Sequence, residues 1–217
     1  MQSSQNFEYG LLYEKKMFAK VVKRIIKTYN IYTVCEYPYN NLMGKNDDVF
    51  LDIGCKTERL KEIPLVQDKK FDLVWNFCEI ERAQSPTKII DNMLNLTKNY
   101  ILIVTQNKNN LGVQLHRIYH KFKRTMWDHG NINFMSYKAV LNLIKGKAKP
   151  LEIGAFDIPW FILDFYEGGS LLRELVPKKL IPKDMSRIQQ SFFERKLSKC
   201  KLGYALAHHH YVFAKKL

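Results

Sequence analysis

Glycine is scarce in this chain, at 10 of 217 residues. Nowhere do the glycines take the G-x-G-x-x-G spacing that lets a backbone turn wrap a pyrophosphate, which makes a dinucleotide oxidoreductase the least favoured function. Cysteine is scarcer still. Cys35, Cys55, Cys78 and Cys200 lie far apart with no Cys-x-x-Cys pair, so neither a zinc site nor a disulfide framework is expected, and four free thiols in a reducing compartment fit. No apolar run approaches the roughly 20 residues that a membrane span needs. The polar start Met1-Gln2-Ser3-Ser4-Gln5-Asn6 lacks a signal peptide's apolar core. A cytoplasmic protein is the expectation.

Acid is also in deficit, with 21 Asp and Glu against 35 Lys and Arg and a net charge of +14. Most of the basic residues are Lys, and Lys-rich helix faces are usually just solvated, so nucleic acid is not favoured as a partner and peripheral contact with an anionic membrane is a further option. What the chain has is apolar content. Hydrophobic residues make up 46% and aromatics 13%, enough for one folded domain over residues 1–217 rather than a disordered tail.

Phe71-Asp72-Leu73-Val74-Trp75-Asn76-Phe77 reads as a buried strand, and Tyr100 to Thr105 as another, one amphipathic helix later. Strand, helix, strand at that spacing is a βαβ unit, which demands a parallel sheet covered by helices on both faces. The helix between them begins at Ser85-Pro86, a capping residue followed by Pro at the first helical position. Residues 7–29 form an amphipathic N-terminal helix, and Ile31 to Glu36 and Asp48 to Ile53 the first two strands. Residues 57–63 make at most two helical turns. Ser136 caps a later helix, Leu151 to Phe156 is a strand, and Tyr204 to Ala214 is the last one, after an insertion over 168–201.

Ligands of open α/β sheets bind beyond the carboxyl ends of the strands. That points to Asn76, Phe77 and Asn107, and to the loop Glu36-Tyr37-Pro38-Tyr39-Asn40-Asn41-Leu42-Met43-Gly44, where backbone N–H groups suit an anion. Asp52 ends the second strand and can accept bonds from ribose hydroxyls. In Trp127-Asp128-His129-Gly130, a histidine beside a carboxylate can act as a general base. His116 and His120 share a helix face but have no evident third ligand, so no metal site is expected. His208-His209-His210 falls within the last expected strand. Asp157 to Tyr166 is strongly apolar and either packs the core or lines a pocket.

In combination these elements resemble the class I methyltransferases that use S-adenosylmethionine (SAM), in particular the type 11 kind, whose centre is an FDLV strand, an EH-like pair, a helix and another strand. Here those are Phe71 to Val74, Glu81-Arg82, the Pro86 helix and Tyr100 to Thr105. The resemblance covers residues 31–107. It implies a Rossmann-like, mostly parallel sheet with an antiparallel last strand and SAM over its carboxyl edge. Residues 1–30 would be an N-terminal helix, 31–107 the cofactor-binding half and 108–217 the substrate half.

By position, Glu36, Pro38, Asn40, Asn41 and Gly44 would hold the methionine part, Asp52 the ribose, and Asn76 and Phe77 the sulfonium side. His129 with Asp128, then His116, would be the base. The acceptor would be a small or lipid-linked molecule. This chain departs from the family in lacking the glycine-rich turn, in having Arg82 where His is usual, and in the short stretch 53–70. Either the sheet is trimmed by a strand, or SAM binding is degraded and the chain is a binding or scaffold module.

Overall fold

A computed structural model describes residues 17–38, 53, 55–62, 69–127, 129–156 and 201–217. Asn40, Asn41, Gly44, Asp52, Asp128, the segment 157–166, most of the strand expected over 48–53 and nearly all of the 168–201 insertion lie outside the described residues. The chain divides into two compact units. One takes the described residues between Lys15 and Gln106, between His129 and Ile153, and from Tyr211 to Leu217; the other takes those between Asn107 and Asp128 and between Gly154 and His210.

Most of a six-stranded sheet belongs to the first unit. The sheet's strands are β1 (Thr33–Glu36), β2 (Lys56–Arg59), β3 (Phe71–Phe77), β4 (Thr97–Gln106), β5 (Ala148–Phe156) and β6 (His209–Lys216). The spatial order is β2-β1-β3-β4-β6-β5. β1 pairs in parallel with both β2 and β3, and β3 with β4. β6 runs against β4: Asn107 N donates to the His208 carbonyl at 2.7 Å, and at the other end Lys216 Nζ donates to the Leu94 carbonyl at 2.7 Å. Leu217 N donates to the Lys147 carbonyl at 3.2 Å, which sets the end of β6 beside the start of β5 and makes that pair antiparallel too.

β3 is apolar almost throughout because both its faces are covered. On one side lies helix α1 (17–29), whose Phe18 meets Trp75 at 4.8 Å and Phe77 at 5.0 Å between ring centres. Its Tyr29 packs at a tilt against Tyr100 and Phe213. Arg24 ties this helix to the last strands, pairing with Glu152 and donating to the Tyr211 hydroxyl at 3.0 Å. On the other side, α2 (Pro86–Leu96) and α4 (Tyr137–Ile144) bury Ile90, Met93, Val140 and Ile144 against Val74, Ile101 and Ile103. α2 starts at Pro86 as expected, but the Ser85 side chain makes no capping bond. Ser136 does cap α4, accepting from Ala139 N at 3.2 Å.

In the other unit, Asn110 caps α3 (Leu111–Lys123) by accepting from Val113 N at 3.1 Å. α5 (Lys201–Leu206) is held by Asn107, whose fully buried Nδ2 donates to the carbonyls of Tyr204 at 3.1 Å and Ala207 at 2.8 Å. Asn107 therefore closes a helix end and does not face a ligand. Asn107→Ala leaves those carbonyls without that donor, and chemical denaturation should show a loss of about 2 kcal/mol.

Two expectations from sequence are corrected here. Residues 56–59 are an extended strand, not helical turns, because their backbone is taken up by pairing with β1. The segment 204–214 is not one strand: α5 runs to Leu206 and β6 begins only at His209, so His208 precedes the strand.

Candidate functional site

β2 lies on one side of β1 and β3 on the other, so the strand order reverses at β1/β3. Such a reversal opens a crevice at the carboxyl ends of the two strands. β1 ends there at Glu36, in register with Trp75, and β3 ends at Phe77. The two loops leaving these strands are riveted together by Asn76. Its side chain is fully buried, its Nδ2 donates to the Tyr37 carbonyl at 3.1 Å, and its Oδ1 accepts from Glu79 N at 3.3 Å. The Tyr37 hydroxyl in turn accepts from Asn92 Nδ2 at 2.6 Å. Asn76 thus positions the crevice walls. Phe77 packs against Phe18 on the α1 side.

Glu36 is buried at the tip of β1 with Arg59 Nε 3.3 Å from its Oε2. Pro38 is half-buried two residues on. Glu58, the penultimate residue of β2, pairs with Lys69. Sequence reasoning passed over it because an all-polar Lys56-Thr57-Glu58-Arg59 gives no strand signal. Burial above all, with Glu58 and Glu36 nearby, pushes the Cys35 thiol up to about 12. That rules Cys35 out as a nucleophile at neutral pH.

Beyond β3 the backbone turns through Cys78, whose φ of 56° is left-handed, and reaches Glu81. Glu81 is the most informative residue of the site, and the sequence treated it only as part of a pair. Its side chain is buried, and one carboxyl oxygen accepts from Gln106 N at 3.1 Å. The other, Oε2, has no hydrogen-bond partner among the described residues. Loss of solvent outweighs the bonds from Gln106, Cys78 and Thr105 and raises this carboxyl to about 7. Near neutrality Glu81 is therefore far more readily protonated than an ordinary carboxyl.

The peptide of Glu81 also anchors the histidine loop. Asn131 N donates to the Glu81 carbonyl. Gly130, at φ 104°, comes so close that a Cβ there would sit 2.7 Å from the same oxygen. Thr105 Oγ1 donates to the Phe134 carbonyl at 2.9 Å and fixes the far end of the loop. The half-buried His129 is thereby carried to the carboxyl ends of β3 and β4. The structure so brings Glu36, Pro38, Asn76 and the His129 loop to one edge of the sheet. His116 belongs to the other unit, on α3.

No family model matches this chain, and no curated protein does. Solved structures do. A SAM-dependent methyltransferase from Thermotoga maritima is similar over 99% of this chain and 96% of its own, with a TM-score of 0.50 at 11% identity. The fold is that of the SAM-dependent methyltransferases. The magnesium protoporphyrin IX methyltransferase of Synechocystis PCC 6803, solved with bound SAH, is similar over 95% of this chain and 84% of its own, with a TM-score of 0.52 at 7% identity. Among the described residues the sheet has six strands, and none lies beyond β2.

Proposed function

We propose that the chain is a SAM-dependent methyltransferase whose cofactor lies in the β1/β3 crevice. The observation that carries this reading is the reversal of strand order at β1/β3, with a buried carboxylate at the tip of β1 and both crevice loops clamped through Asn76. The described residues fit such a ligand. Glu36 offers negative charge towards a sulfonium or an ammonium group. Glu58 stands about 20 residues further on at the end of the neighbouring strand, the spacing of a ribose-binding acid, and it competes with Asp52 for that role.

When bound, SAM supplies an already activated methyl group, so the protein's task is alignment. Asn76 fixes the crevice walls, and Glu81 holds the loop that carries His129. The His129 imidazole accepts the proton that a hydroxyl or amine acceptor gives up. The acceptor in this reading is a small or lipid-linked molecule. Among the described residues no helix is long and apolar enough to cross a membrane.

Calorimetric titration of the full chain with SAM and with S-adenosylhomocysteine tests the reading. One equivalent should bind, and Glu36→Gln should weaken it about tenfold, or ~1.4 kcal/mol. A similar loss in Glu58→Gln but not Asp52→Asn assigns the ribose to Glu58, and the reverse assigns it to Asp52. No heat from either ligand at high micromolar protein would leave the scaffold reading in its place.

A further inference from the structure

The methyl-transfer roles assigned above to the β1/β3 crevice and His129 leave aside a second group of side chains, on α3 and the turn after it. His116 and His120 project from adjacent turns, and their Nε2 atoms stand 2.9 Å apart. The ring centres are 4.8 Å apart. Both rings are half-buried, and Trp127 sets its indole nearly perpendicular to each, at 5.9 Å from His116 and 5.6 Å from His120. Thr125 Oγ1 lies 3.0 Å from His120 Nδ1.

We propose that His116 and His120 form a binding site for a late first-row divalent transition metal such as Ni2+, Cu2+ or Zn2+. Two nitrogens bound ~2.0–2.1 Å from one ion lie about 2.9 Å apart at a right angle and about 3.4 Å apart at the tetrahedral angle. The pair already has the bite of two neighbouring ligands of a square or octahedral ion, and a few tenths of an ångström of opening suits zinc.

The Thr125 hydroxyl also supports a ligating tautomer. With its proton on Nδ1, His120 donates to the Thr125 hydroxyl and leaves the Nε2 lone pair turned towards His116. A ligating histidine held by its other nitrogen is the usual support of a metal site. Arg117, Lys121, Lys123 and Arg124 are exposed on and just after the same helix, which disfavours Mg2+ and Ca2+. Those hard ions need carboxylate oxygens, whereas neutral imidazoles select the later metals. The positions that these two imidazoles do not fill are open to further nitrogen or oxygen donors, water among them.

The test uses the full chain titrated with NiCl2 and with ZnCl2 by calorimetry, and with CuCl2 by tryptophan fluorescence. The wild type should bind one equivalent that His116→Ala and His120→Ala each weaken at least tenfold. His208, His209 and His210 remain in both variants, so any binding there persists and is subtracted. Thr125→Val should weaken the site about tenfold with both ligands in place. Trp127→Phe should abolish most of the Cu2+ quenching while the calorimetric equivalent stays. Both histidines sit on a partly exposed helix face, where Ala favours the helix, so unchanged circular dichroism is expected in the variants. Equal stoichiometry and affinity in the wild type and the double variant His116→Ala/His120→Ala would overturn the proposal.

Discussion

Gly130→Ala is expected to destabilise the first unit by about 3 kcal/mol, with Gly130→Val worse, in chemical denaturation followed by circular dichroism. Two independent penalties meet at this position. The φ of 104° belongs to glycine, and an L side chain there is strained. A Cβ would also press to 2.7 Å on the Glu81 carbonyl oxygen and 3.0 Å on its carbon, which are backbone and cannot rotate away. Relief requires the His129 loop to lift off the turn after β3. That breaks the bond from Asn131 N to Glu81 and moves the imidazole. A variant that retains full stability would show that the loop does not rest on Glu81.

Replacing Glu81 with Gln should change how stability depends on pH. The folded carboxyl, raised to about 7, keeps a proton that the unfolded chain gives up near 4.5. Stabilisation from this group is complete below the unfolded value and is lost as pH rises through the folded one. Between pH 4.5 and 7 the wild type should therefore lose roughly 1.4 kcal/mol per pH unit, about 3 kcal/mol in all, from Glu81 alone. The amide introduced by Glu81→Gln imitates the protonated acid and removes this slope.

Buried histidines act in the opposite sense. Burial holds His209 well below its usual range and lowers His210 as well, so their contribution is present above about 6.5 and fades as pH falls below it. The difference between wild type and Glu81→Gln cancels the histidines. Denaturation curves from pH 5 to 8 should show it widening in favour of the variant as pH rises. A difference independent of pH would mean that Glu81 is ionised in the folded protein.

The central elements were legible because burial on both faces writes itself into composition. Phe71 to Phe77 and the helix after Pro86 appear where the sequence put them, and Ser136 caps as expected. The failures have physical causes. Lys56 to Arg59 is polar at every position and extended only because β1 offers it hydrogen bonds, a long-range cause that no local pattern records. Between Leu206 and His209 there is no breaker to mark where helix becomes strand.

In the site, position along the strands pointed to Glu36 and Asn76, which the structure sets at the ends of β1 and β3. It could not tell that Asn76 points its amide at Tyr37. Nor could it tell that Gly130 is dictated by a carbonyl on a distant turn, since the need for a glycine there arises only once the two segments meet.

The place of β6 bears on how the chain is made. β5 has β6 as its neighbour in the sheet, and β6, slotted between β4 and β5, comes more than fifty residues later in the chain. During synthesis, β4 offers a bare hydrogen-bonding edge and β5 waits without its partner until residues 209–216 leave the ribosome. Tyr29, far earlier in the chain, likewise has no Phe213 to pack against. Contacts so distant in sequence slow folding, and an open edge invites pairing with other nascent chains. Stalled or truncated products ending before residue 209 are accordingly the species most prone to aggregate.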